Sequence, residues 1–425
     1  MKNFDIPIIY RSPLIWAIKS RRKQQDKMKK DFTPTQLDLG NLQVYLARHF
    51  GFCYGVENAI EISFRTIEEN PGRPIFLLSE MIHNPLVNAD LQARGVRFLQ
   101  DTHGRQIIPF ESLTGDDIVI IPAFGTTLEI EEKLRRAGIH TEKYTTTCPF
   151  VEKVWNRSAQ IAQKKYTIVV HGKPGHEETR ATFSHAAAET PTVVVKDMAE
   201  TQQLAEFITG ARPPESFYAA FEGQYSPGFD VKKDLVRIGV VNQTTMLASD
   251  TQAIADFLRQ IMIDTYGLTA ATAENHFADT RDTLCYATLD NQSAINGLLG
   301  IPADLAIIVG GYNSSNTSHL VELCEEKMPT YFISGEEKIL SAEEILHYNF
   351  HAKCEVKTTG WLAAASPLAT GPGPVAAAPA SAPARILISS GASCPDALVE
   401  AVIRKLAGYY GAAQKLDTLV VAFEA

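Results

Sequence analysis

The amino-acid sequence predicts an α/β protein with largely parallel sheets, assembled from three similar α/β units. Two observations carry this reading. Short apolar strand signals such as DDIVIIPAFG, YTIVVHG, LVRIGVVNQ, LAIIVGGY and RILISSGAS each lead into a polar or helix-forming stretch, the alternation that crossover helices on parallel sheets produce. Three segments, VYLARHFGFCYGVENAIEIS, YTTTCPFVEKVWNRSAQIA and HFADTRDTLCYATLDNQSAINGLL, also repeat one plan: an extended approach, a small or hydroxyl-rich turn, a cysteine, then a helical pattern.

Along the chain, residues 1–41 read as a polar, helical extension. Residues 42–147 form a first α/β unit with Cys53, 148–281 a second with Cys148, and 282–411 a third with Cys285, while 412–425 return to the first. Within the third unit, AAASPLATGPGPVAAAPASAPA (363–384) has no charge and no periodicity and reads as a polyproline-like linker. In the middle unit Val151, Val154, Trp155 and Ile161 keep helical spacing behind Cys148. The shared plan places each sulfur near the positive end of a helix, where a thiolate is favoured.

A chain of 425 residues exceeds one ordinary core, so two or three domains are expected. With 45% hydrophobic and 21% charged residues, and no apolar run near the ~18 residues of a membrane span, it reads as soluble and not bound to a membrane. A net charge of −9 argues against nucleic acid as the main partner. Six cysteines are too few and too scattered for a disulfide framework, and the N-terminus lacks a signal-peptide pattern, so a reducing cytoplasm is the expected location. The basic run KSRRKQQDKMKK (19–30) reads as a solvated helical face, because Asp5, Asp26 and Asp31 interrupt its charge.

No C-x-x-C pair is present, which argues against a zinc knuckle or a thioredoxin-like motif. Cys53, Cys148 and Cys285 either are three unrelated buried thiols or jointly hold a 4Fe–4S cluster with one iron left without a protein ligand. The neighbouring turns bear on that choice. His83 and Asn84, then His171, His176, Glu177 and Glu178, then Gln243, Thr244 and Thr245, then Ser314, Ser315 and Asn316, and finally Ser393 all follow predicted strands. Ligands of parallel α/β sheets bind beyond the carboxyl ends of strands, and hydroxyl-rich turns that open helices suit phosphates. GGYNSSNTSHL alone fits ordinary helix capping. Five such turns with three cysteines favour a ligand.

The motifs GFCYGVENA, IHNPLVN, PAFGTT, TTTCPFVEKVW, HGKPGHEET, NQTTM, CYAT, GGYNSSNTSHL and SGASCPD, in this order, resemble those of the 4-hydroxy-3-methylbut-2-enyl diphosphate reductase family, in its longer plant and cyanobacterial form. The resemblance implies a trefoil of three α/β units around a central iron–sulfur cluster. It further implies one 4Fe–4S cluster held by Cys53, Cys148 and Cys285 with one open iron, leaving Cys324, Cys354 and Cys394 outside the ligand set. Glu178 is then the expected general acid, and Thr244 the contact to the substrate hydroxyl that relays the proton. His83, His176, Ser314, Ser315, Asn316 and Ser393 are the expected diphosphate ligands. The implied reaction reduces an allylic alcohol diphosphate to isopentenyl and dimethylallyl diphosphate, with electrons from ferredoxin or flavodoxin. Where short bacterial members carry a further histidine, this chain has Phe124, which cannot donate to phosphate, so that contact is either lost or supplied by a neighbour such as Thr126 or Thr127. A cluster-dependent dehydratase and a non-enzymatic cluster-binding redox sensor are the alternatives.

Overall fold

Uninterrupted runs of Val, Ile and Leu form strands buried on both faces, and such strands need helices on either side. The computed structural model describes residues 4–278, 283–362 and 383–424. Strands β1 (Thr35–Asp38) and β2 (Leu42–Leu46) pair antiparallel. Strands β3 (Ile75–Leu77), β4 (Arg97–Phe98) and β5 (Ile118–Ile120) make a parallel sheet of order β4-β3-β5. Strands β6 (Thr167–His171), β7 (Thr192–Val195) and β8 (Ile238–Asn242) make a second, of order β7-β6-β8. Strands β9 (Leu305–Val309) and β10 (Thr330–Ile333) are followed by the antiparallel hairpin β11 (Glu344–Asn349) and β12 (Cys354–Thr359). Strand β13 (Ala384–Ser390) then inserts between β2 and β9, parallel to both, giving a five-stranded sheet of order β1-β2-β13-β9-β10.

The architecture is mixed α/β with parallel sheets, and the chain divides into two compact units. One comprises residues 1–54, 83–86 and 287–425; the other comprises 55–82 and 87–286. The first holds the five-stranded sheet, and the second holds both three-stranded sheets. Strand β2, within the stretch 42–147 that the sequence reads as one unit, pairs with β13 through Ala384↔Leu42 to Ile388↔Leu46. Local sequence cannot reveal such a partner, because the two strands lie far apart in the chain. Nearly all of the expected linker lies outside the described residues; its last residue, Ala384, opens β13 and is buried.

The extension contains a helix whose first turns are not polar surface but core, whereas the basic run 19–30 that follows is exposed or half-buried. Helix Pro13–Gln25 is capped by Ser12, whose Oγ accepts from the Ile15 N–H at 2.9 Å, with Pro13 in the first turn. Leu14, Ile15 and Ile18 are buried in the core of the first unit with Leu37, Leu42, Ile386 and Leu406. Ser12 donates to Glu400, and Lys19 pairs with Asp396 at 2.7 Å, tying this helix to helix Asp396–Tyr409. The basic run therefore ends a helix whose other face is core. Among the described residues, no helix is long and apolar enough to cross a membrane.

Ile15→Ala is expected to cost about 2–5 kcal/mol through the cavity it leaves, read as a lowered melting temperature of the full chain. Trp16→Ala, one residue on and 66% exposed, should stay within about 0.5 kcal/mol. Equal melting temperatures for the two variants would show that the extension is not part of the core.

Candidate active site

In the second unit, the site begins at the end of β6. The loop after His171 leads to His176, which caps helix Glu177–Ala187; its Nδ1 accepts from the Glu178 N–H at 3.2 Å. That cap turns Glu178 inward, and the residue is buried. Its Oε1 accepts from the Thr244 backbone N–H at 2.5 Å, so the carboxylate bridges from a helix start to the loop after β8. The structure thus joins Glu178 and Thr244 through the main chain.

Gln243 holds this pair in place. Buried, it accepts through Oε1 from the Lys173 N–H (3.1 Å) and the Thr179 hydroxyl (2.9 Å), and its Nε2 donates to Thr245 Oγ1 (2.7 Å). A β-carbon at Gly172 would lie 2.6 Å from Thr179 Oγ1, so the loop passes too close for any side chain there. Glu177 faces the other three-stranded sheet and accepts from the Ser79 hydroxyl. Phe124 packs edge-on against His176 with ring centroids 5.6 Å apart. Its place beside the capping histidine is thus one of packing. Trp155 stacks on His185 at 3.7 Å and donates to Thr182 Oγ1 at 3.1 Å; burial pushes the His185 pKa down.

Each of the three expected cysteine ligands immediately precedes a helix: Cys53 before Tyr54–Glu69, Cys148 before Pro149–Gln163 and Cys285 before Tyr286–Leu298. Helix starts present unsatisfied N–H groups and a positive dipole end, which stabilise thiolate. Cys148 is the N-cap residue; its N–H donates to Ala123 O at 2.9 Å. A β-carbon at Gly55 would sit 2.5 Å from Cys148 Sγ, so only glycine allows the sulfur its position. Phe150 meets Tyr286 edge-on at 5.6 Å, with Lys153 5.2 Å above the same ring, which brings the helix starts behind Cys148 and Cys285 into contact. The approach to Cys285 is anchored by the Thr283 hydroxyl, which donates to Asn242 Oδ1 at 2.6 Å. Cys324 and Cys394 differ: both are buried, and burial pushes each thiol up to about 12. Cys354 is exposed on β12.

In the first unit, the Cys53 N–H donates to Ala392 O at 3.1 Å, just past the end of β13. The next residue, Ser393, donates from Oγ to His83 O at 3.1 Å. Ser314 caps helix Ser315–Glu325 by accepting from the Thr317 N–H at 3.2 Å, so its hydroxyl does serve as a helix cap. Asn316 Oδ1 accepts from the Ala392 N–H (2.9 Å) and from Asn291 Nδ2 (3.3 Å). Its Nδ2, together with Thr317 Oγ1 and Ser389 Oγ, is buried and finds no hydrogen-bond partner among the described residues. Such groups are costly unless something arrives to pair with them. A polar or anionic ligand at the ends of β9 and β13 would do so.

Ser79, Thr179, Asn291, Thr283 and Gly55 support the site without having been picked out from the sequence. Ser79 follows the IFLL run, and Gly55 stands two places after Cys53, so each was exposed to view only by its position. Among the described residues, no three His, Cys, Asp or Glu side chains are grouped closely enough to hold a metal ion. The donor chemistry nevertheless fits an iron–sulfur cluster, with three thiols at helix starts and one confined by Gly55.

Polar groups past the carboxyl ends of parallel strands lie where α/β proteins bind their ligands, and thiols at helix starts are placed to favour thiolate. The model of the family described as LytB protein matches residues 44–407, and the chain belongs to that family, whose members depend on iron–sulfur chemistry. It is 37% identical over 370 residues to the 4-hydroxy-3-methylbut-2-enyl diphosphate reductase of Gloeobacter violaceus (strain ATCC 29082 / PCC 7421), covering 86% of this chain and 83% of that protein. It is 38% identical over 372 residues to the reductase of the same name from Synechococcus sp. (strain CC9605), covering 87% and 86%. The solved E-1-hydroxy-2-methyl-but-2-enyl-4-diphosphate reductase of Plasmodium falciparum aligns with a TM-score of 0.59 at 21% identity, covering 86% of this chain and 87% of that one, which shows the shared fold.

Gly55→Ala should push Cys148 Sγ aside. The expected outcome is an iron and sulfide content after anaerobic reconstitution less than half that of the parent, with an unchanged far-ultraviolet spectrum. Full iron content in this variant would remove the steric role assigned to Gly55.

Proposed function

We propose that this chain reduces 4-hydroxy-3-methylbut-2-enyl diphosphate to isopentenyl and dimethylallyl diphosphate, the last step of the non-mevalonate route, in the cytoplasm. The observation that carries the mechanism is the buried Glu178 held at a helix start against the Thr244 N–H. Its support comes from the named relatives and from the chemistry of the residues. Per turnover one allylic C–O bond breaks, the carbon fragment takes up two electrons and a proton, and the hydroxyl leaves with a second proton as water.

Glu178 is the proton source for the leaving hydroxyl, a poor leaving group until protonated. Thr244, next to the carboxylate, orients the hydroxyl and passes the proton. His83, His176, Ser314, Ser315, Asn316 and Ser393 bind the diphosphate. Neutral donors dominate this set, and Asn316 Nδ2 is a buried donor suited to a phosphate oxygen. Cys53, Cys148 and Cys285 are the ligands of one 4Fe–4S cluster with an open iron, and the trefoil arrangement implied by the resemblance belongs to the same proposal. When bound, that cluster supplies single electrons and a Lewis-acidic iron.

Anaerobic assay of the reconstituted protein with a reduced viologen dye tests the reaction. Consumption of two electrons per product is expected; product formation without dye oxidation would identify a dehydratase. Glu178→Gln should lower kcat at least about a hundredfold while keeping cluster absorbance and substrate affinity, and undiminished turnover would take Glu178 out of the acid role. Cys148→Ser should lose the cluster, and an intact, active cluster in that variant would sink the three-ligand assignment.

A further inference from the structure

The N-terminal extension does more than complete the core of the first unit. Phe4 packs edge-on against Tyr54 at 5.0 Å, and Tyr10 against Phe52 at 5.9 Å. Phe52 and Tyr54 flank Cys53, so the extension rests on both neighbours of a proposed cluster ligand. Its outward side is unlike the rest of the chain. Ile8 is 83% exposed and Trp16 66%. Trp16 and Lys23, seven residues apart, share the helix face opposite the buried Leu14, Ile15 and Ile18. Residues 1–41 carry nine Lys and Arg against four Asp and Glu, in a chain whose net charge is −9. Lys23, Lys27 and Lys30 are exposed and make no ion pair among the described residues.

We propose that the exposed side of residues 8–30, with Trp16, Lys23, Lys27 and Lys30, is the docking surface for a small acidic one-electron carrier protein of the ferredoxin type, which delivers electrons at the Cys53 end of the first unit. The inference rests on the reductive reading above, in which each turnover oxidises two reduced carriers. An exposed indole beside unneutralised lysines suits an acidic protein surface, the indole acting as anchor and the charges steering the encounter. An anionic membrane would instead call for a continuous apolar helix face, and the apolar face of this helix is already buried in the core.

The test compares the full-length reconstituted protein with a Lys23→Glu, Lys27→Glu, Lys30→Glu triple variant and with Trp16→Ala. KM for a reduced 2Fe–2S ferredoxin, and Kd for the same ferredoxin by titration calorimetry, should each rise at least tenfold in the triple variant, with the salt dependence flattened. Turnover driven by reduced methyl viologen should be unchanged. Unaltered Kd and KM would overturn the proposal. So would binding of phosphatidylserine vesicles, lost in the triple variant, in place of ferredoxin. Absence of dye-driven turnover in the parent, together with charge-dependent ferredoxin binding, would sink the reductive reading alone and support the docking surface.

Discussion

Strand β13 is hydrogen-bonded along both edges, to β2 on one side and β9 on the other, and the polar groups of the first unit are placed by where it ends. Directly past it, Ala392 accepts from the Cys53 N–H and donates to Asn316 Oδ1, and Ser393 reaches His83 O. One strand end thus fixes a cysteine, an amide and a histidine-bearing loop drawn from three separate parts of the sequence. The packing there is tight: a β-carbon at Gly310 would lie 2.7 Å from Thr317 Oγ1. Glycine at the end of β9 allows the helix start to approach the sheet, which brings donors close to any ligand beyond the strands.

The second unit solves a different problem, that of keeping a carboxylate buried. Glu178 is supported by the Thr244 N–H and shielded by neighbours that are themselves fully committed, Gln243 above all. A group so held loses little freedom on meeting a substrate, which is the value of building a site on helix starts and strand ends. Side chains such as Phe124 and Trp155 contribute by packing against His176 and His185.

Much of this was legible in the sequence, for identifiable reasons. The strands β5, β6, β8, β9 and β13 coincide with apolar runs because a strand buried on both faces has no room for polar alternation. The cysteines stand directly before helices, as the repeated plan predicts, because Pro149 and the capping turns are local signals. Glu178 was visible as a type of residue in a loop, but its bond to the Thr244 main chain was not, since backbone donors leave no mark in composition. The pairing of β2 with β13 and the burial of Leu14, Ile15 and Ile18 were hidden for a related reason. The pairing depends wholly, and the burial in part, on partners hundreds of residues away.

The central place of β13 also sets an order of events during synthesis. Strand β2 leaves the ribosome early, whereas β13, its neighbour in the sheet, is made some 340 residues later, roughly 20–70 s at ordinary elongation rates. Meanwhile residues 87–286, nearly all of the second unit, are already complete. The nascent chain therefore carries an unsatisfied strand edge next to Cys53 for most of its synthesis. The backbone groups of β2 that pair with β13 can be satisfied in the native register only once nearly the whole chain has been made.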